Sequence, residues 1–203
     1  YTNLFRVWPD AELNRKHREL IEVMLDRIVD PETAHFKLFF DDAWTSKSDL
    51  ISYGHDIEGS WLLTEAAGLA GDGALLERTK AVAIRMAEAT LREGVDADGG
   101  LLNEANASGL IDANKDWWPQ AEAVVGFYNA HQLTGEDKFL DAARRSWAFI
   151  ERHIVDREGG EWFWSVDRKG RPTRGHGKVN AWKCPYHNGR ACLEMMERLA
   201  GGH

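Results

Sequence analysis

The stretch YGHDIEGSWLL, residues 53–63, sets a histidine, two acids and a tryptophan within nine residues. Read as the start of a helix, it places His55, Glu58 and Leu62 on one face, because positions three and four apart stack along a helix. A histidine beside a glutamate on an otherwise apolar face is costly unless both are satisfied or used. Two further stretches share its character: DWWPQAEAV (116–124) and CPYHNGRAC (184–192) are polar, aromatic openings that run into helical periodicity. With Glu58, Glu122 and Arg190 set equivalent, the openings stand 64 (122 − 58) and 68 (190 − 122) residues apart. The pattern repeats although almost no residues do.

Pro9 suits the first turn of a helix, and Leu13, Leu20, Ile21, Met24, Leu25 and Ile28 follow at helical spacing up to Pro31. HFKLFFDDAW (35–44) reads as a short strand. Ile57, Trp61, Leu62, Ala66 and Leu69 mark a second helix, ended by Gly71 and Gly73, and Leu75 to Thr90 a third that stops near Gly94. DADGGLLNEANASG (96–109) reads as a hairpin. Helices over 117–133 and 136–155 come next. GGEWFWSVDRKGRP (159–172) repeats the hairpin with a turn at Lys169-Gly170, and a last helix begins near Tyr186. The fold class is therefore all-α, built from helical-hairpin repeats with short β-hairpins between helices. Such repeats stack as an open solenoid or close into a ring. In a closed α/α barrel the inner-helix starts gather at one end, so the three polar openings would share one cleft.

A chain of 203 residues, 43% hydrophobic and 29% charged, fits one domain or part of a larger one. The net charge of −8 argues against a nucleic-acid partner, which calls for a basic patch. No apolar run approaches the roughly 18 residues of a membrane span. Cys184 and Cys192 are too few for a disulfide framework and read as reduced thiols of a cytoplasmic protein. Nine tryptophans, most of them expected in the core, raise the prospect of sugar stacking. YTNLFRVW (1–8) reads as the tail of a helix, so residues 1–203 are expected to be a fragment.

His55 and His187 open two of the three helices at matching repeat positions, with Glu58 and Arg190 three residues further on in each case. Neutral histidines near a pKa of about 6.5 can take or give a proton at neutral pH. Two of them on opposite faces of a substrate could invert a carbon beside a carbonyl. Trp117 and Trp118 point in different directions on their helix, so one is free to line a cleft with Glu122. Trp182 is a second stacking candidate. Two rivals stay open: a metal site of two histidines and one carboxylate, and a glycosidase with Glu58 and Glu122 as acid and base.

YGHDIEGSWLL, DWWPQAEAVVGFYNA (116–130) and WKCPYHNGRACLEMMERL (182–199) resemble the N-acylglucosamine 2-epimerase superfamily, and within it the cellobiose 2-epimerases. The resemblance implies an (α/α)6 barrel of which about half, the C-terminal half, is present. It implies an isomerase that inverts C2 of a reducing-end sugar through an enediolate, with no cofactor. By it, His55 and His187 are the catalytic acid/base pair. Glu58, Glu122, Trp117, Trp118, Trp182 and Arg190 would bind or orient a disaccharide or monosaccharide. The missing N-terminal half, or self-association of two copies, would complete the barrel. Within the resemblance, an N-acylglucosamine epimerase, an aldose–ketose isomerase and a non-catalytic sugar-binding fragment remain alternatives.

Overall fold

A computed structural model describes residues 1–201. Its helices are α1 (Thr2–Val7), α2 (Ala11–Val23), α3 (Tyr53–Leu69), α4 (Gly73–Glu93), α5 (Trp117–Thr134), α6 (Asp137–Phe149) and α7 (His187–Leu199). Side-chain caps set two of the starts. Asp10 accepts from the backbone N–H groups of Glu12 and Leu13, and Asp72 from that of Leu75, each meeting a donor that the first turn leaves unpaired. Gly135, at φ 72°, takes the left-handed conformation that ends α5.

Helices α3, α5 and α7 lie side by side, with α2, α4 and α6 behind them. The inner helices α3 and α5 are buried on most of their surface. The outer helices carry an apolar stripe and a charged face, as a surface helix must. At Gly126 of α5 a Cβ would lie 2.5 Å from Ile57 Cγ1, so the missing side chain is what lets α5 cross α3 this closely. This is the alternating inner and outer layering of a partial α/α barrel. An apolar groove of about 600 Å³ runs between α5, α6 and α7, with Trp147, Met196 and Leu199 at its edge.

Short strands deliver the chain to the inner helices. β1 (Ile51–Ser52), β2 (Glu104–Asn106) and β3 (Gly109–Asp112) form an antiparallel sheet in that order, with Ser52 opposite Glu104. β4 (Lys115–Asp116) pairs with β5 (Ser165–Val166). β1 runs straight into α3, and β4 straight into α5.

Two local expectations need correcting. Residues 35–44 form no strand; they make only single bridges, Val29 to Phe36 and Phe40 to Ser46. The Asp56 carboxylate takes the Phe36 backbone N–H at 2.7 Å, and Asp41 turns the chain by accepting from Ala43 and Thr45. The first hairpin turns at Ala107-Ser108, and residues 96–100 form a separate tight turn. The second hairpin forms where expected, Val166 bridging Pro172 across the turn at Lys169-Gly170 with Gly170 at φ 74°, and its strand β5 pairs with β4 as well.

A second repeat is superimposed on the first. α2 and α6 each end in a π-helical turn, Met24–Ile28 and Ile150–Ile154. Val-Asp then follows at Val29-Asp30 and Val155-Asp156, and again after α4 at Val95-Asp96. Each aspartate accepts one or two backbone N–H groups just ahead of it, and each valine bridges to Phe36, Leu101 or Trp162 beyond the turn.

Candidate active site

The starts of α3, α5 and α7 bring six of the eight expected residues together. Glu122, fully buried one turn into α5, is the hub. One of its oxygens accepts from Trp61 Nε1 at 2.9 Å. The other lies 2.7 Å from His187 Nδ1 and 2.6 Å from Arg190 Nη2. The same Arg190 nitrogen donates to Glu58 at 2.6 Å, and Arg190 Nη1 donates to the Tyr186 hydroxyl at 2.7 Å. Because an ionised carboxylate only accepts, Glu122 fixes the proton of a neutral His187 on Nδ1 and leaves Nε2 with its lone pair.

Trp118 ties the first opening to the third. Its ring centroid is 4.7 Å from that of His55 and 5.4 Å from that of His187. It can lie there because Gly54 has no side chain; a Cβ would sit 2.5 Å from the Trp118 ring. His55 is exposed and shares a 2.7 Å hydrogen bond between Nδ1 and the Ser52 hydroxyl. A cavity of about 420 Å³ opens beside the cluster, with His55, Glu58, Tyr186 and Arg190 among its walls.

Burial works against the Arg190 charge, but Glu122 and Glu58 outweigh it and hold the guanidinium above its ordinary value. Glu58, Glu122 and His187 offer ligand atoms within 4.8 Å of one another, the spacing of a cation site. The guanidinium already takes that place, with one nitrogen 2.6 Å from each carboxylate. It leaves Arg190 as a clamp on the two glutamates rather than a free arm toward a ligand.

Two expected residues stand apart. Trp117 is buried against Trp164, ring centroids 4.5 Å apart, and belongs to the wall behind the cleft. Trp182, on the segment before α7, projects into solvent at 85% exposure. Conversely, Trp61, Tyr186 and Ser52 join the cluster without having been singled out for it. Spacing carries a signal for two of them: Trp61 lies three residues after Glu58, and Tyr186 four before Arg190, each on its partner's helix face.

Beneath His55, the neighbouring Asp56 is buried and paired with His35, Nδ1 to Oδ2 at 2.7 Å. His35 Nε2 meets Glu93 at 3.0 Å. Burial alone would lower the His35 pKa, but Asp56 and Glu93 outweigh it and raise it. A raised folded-state value means the stabilisation is fully present below the unfolded value of about 6.5 and is lost as pH rises through the folded one. Urea unfolding of the parent and a His35→Gln variant, at about pH 6 and about pH 9, is expected to give a stability gap that narrows at the higher pH. An equal gap at both would contradict the charged pair.

A scaffold of paired inner and outer helices, with histidines, glutamates and an arginine gathered where the inner helices start, defines a class before any relative is considered. Residues 4–191 match the profile of the family described as N-acylglucosamine 2-epimerase (GlcNAc 2-epimerase), and the chain belongs to that family. A cellobiose 2-epimerase of Bacteroides fragilis is 47% identical over 97% of this chain and 50% of its own length. One of Dictyoglomus turgidum is 42% identical over 98% and 51%. Among solved structures, the cellobiose 2-epimerase of Bacillus thermoamylovorans B4167 superposes with a TM-score of 0.93 at 43% identity, covering 98% of this chain and 50% of that one. The chain thus spans about half the length of the relatives it matches.

Proposed function

We propose that the protein containing this chain is a sugar 2-epimerase acting on the reducing-end glucose of cellobiose-type β-1,4 disaccharides. The observation that supports the reading is that the rings of His55 and His187 both lie against Trp118, at centroid distances of 4.7 and 5.4 Å, with Glu122 fixing the His187 tautomer. In the open-chain sugar the C1 carbonyl acidifies the proton on C2. One imidazole takes that proton and leaves an enediolate; the other, as imidazolium, returns a proton to the opposite face. The sugar ends with no net change of oxidation state, and solvent exchange resets the two histidines. Nε2 of His187 is the free nitrogen for this work.

Glu58 and the partly exposed Trp118 ring supply a hydroxyl partner and a stacking surface. Trp182, out in solvent, offers a face for the second sugar ring. The glycosidase alternative asks Glu122 to act as acid or base, yet both its oxygens are already engaged by Trp61, His187 and Arg190. Incubating the intact protein with cellobiose is expected to yield a disaccharide with mannose at its reducing end. Release of free glucose would favour the glycosidase, and a ketose product would favour an aldose–ketose isomerase of the same family.

A further inference from the structure

Three ion pairs, each with at least one buried member, recur at equivalent points of the repeat. Each joins the turn after an outer helix to the start of the next inner helix. After α2, His35 meets Asp56 in the first turn of α3. After α4, both oxygens of Asp98 receive Lys115 Nζ at 2.7 Å, two residues ahead of α5. After α6, Lys183 Nζ donates to Glu161 at 2.7 Å and to the Lys178 carbonyl at 2.8 Å, just ahead of α7. Lys115 and Lys183 are fully buried, where lysine is seldom found unless paired. Desolvating an ion pair is a poor route to stability, so the recurrence calls for another use of these pairs.

We propose that Lys183 is a positioning residue which, through Glu161, fixes the first turn of α7 and with it the aim of His187. Glu161 is the link. Its carboxylate also accepts from Asn188 Nδ2, at 3.1 and 3.3 Å, and Asn188 directly follows His187. Its backbone sits at φ 62°, a left-handed conformation that a non-glycine residue holds only when its surroundings require it. Asn180 Oδ1 accepts from the backbone N–H groups of Trp182 and Lys183, turning the chain so that Trp182 faces out and Lys183 in. The ammonium also lies 5.4 Å from the Trp117 ring centroid, against the wall behind Trp118. His187 is thereby held among Glu122, Glu58, Arg190 and Tyr186 at a spacing that a small shift of α7 would lose.

The kinetic part of this inference rests on the epimerase reading; the orientation of His187 does not. The test is Lys183→Met in the intact protein, alone and combined with Glu161→Gln, which removes both charges. The readouts are NMR titration of the His187 ring, kcat for exchange at C2, and thermal unfolding. In the single variant the His187 resonances and their titration midpoint are expected to move, and kcat to fall about 10²-fold, as misplaced catalytic groups commonly cause. The double variant is expected to regain thermal stability without regaining kcat, and carries the test should the single variant fail to fold. A His187 titration superimposable on the parent's in both variants would overturn the proposal, as would a kcat that recovers in step with stability. A parent without C2 exchange would overturn the epimerase reading, while the titration would still decide the role of Lys183.

Discussion

Replacing His187 by asparagine in the intact protein is expected to lower the rate of C2 proton exchange by about 10²–10⁴-fold, the usual worth of a positioned acid or base. The fold should survive, because His187 is partly exposed and its one strong bond is to Glu122. Asparagine can still donate to that carboxylate, but it has no nitrogen able to take a proton from carbon. The loss should fall on kcat, with KM little changed, since the ring acts on the proton rather than on sugar binding. Rate measurements paired with a melting curve decide the matter. Undiminished exchange in a folded variant would remove His187 from the chemistry.

Glu122→Gln is expected to damage stability and activity together. Three donors converge on the two Glu122 oxygens: Trp61 Nε1 on one, His187 Nδ1 and Arg190 Nη2 on the other. A glutamine has one acceptor oxygen and a donating amide, so one donor must face an N–H group. The largely buried guanidinium, 18% exposed, also loses one of its two counter-charges. Breaking a buried pair costs about 3 kcal/mol or more, and the lower figure applies because Arg190 keeps Glu58 and Tyr186. That corresponds to a melting temperature lower by about 5–10 °C. The same change frees the His187 tautomer, so kcat should fall even in the folded fraction. An unchanged melting temperature would mean that the carboxylate is not the hub its three bonds describe.

The three helix starts were legible because their chemistry conflicts with a bland helix. His, Glu and Arg at the head of apolar runs announce a shared cleft once the period of the repeat is noticed. The choice between Trp117 and Trp118 was not legible, and both stood as binding candidates. The helix is buried almost all round, Glu122 included, so the contact of Trp117 with Trp164 is what shows which ring belongs to the wall. IVDPETAHF (28–36) and IVDREGGEW (154–162) carry the second repeat openly, but an alignment anchored on the inner helices passes over the ends of the outer ones.

The pairs made by the two buried lysines could not be read in this way. Lysine is so regularly a surface residue that nothing in KCPYH or NKDWW marks Lys183 or Lys115 as interior; only the close approach of Glu161 and Asp98 shows it. Nor could residues 35–44 be told from a strand. Their apolar alternation is real, but Asp56 takes the backbone donor at Phe36. A long-range side chain thus decides a local structure.

Two histidines that exchange the proton at C2 would label that carbon from solvent. Proton NMR of cellobiose incubated with the intact protein in D₂O reads that label most directly. Deuterium is expected at C2 of the reducing-end sugar, together with signals of a mannose-type end. A C2 proton that persists, whether glucose is released or the spectrum stays unchanged, would contradict that role of the histidines.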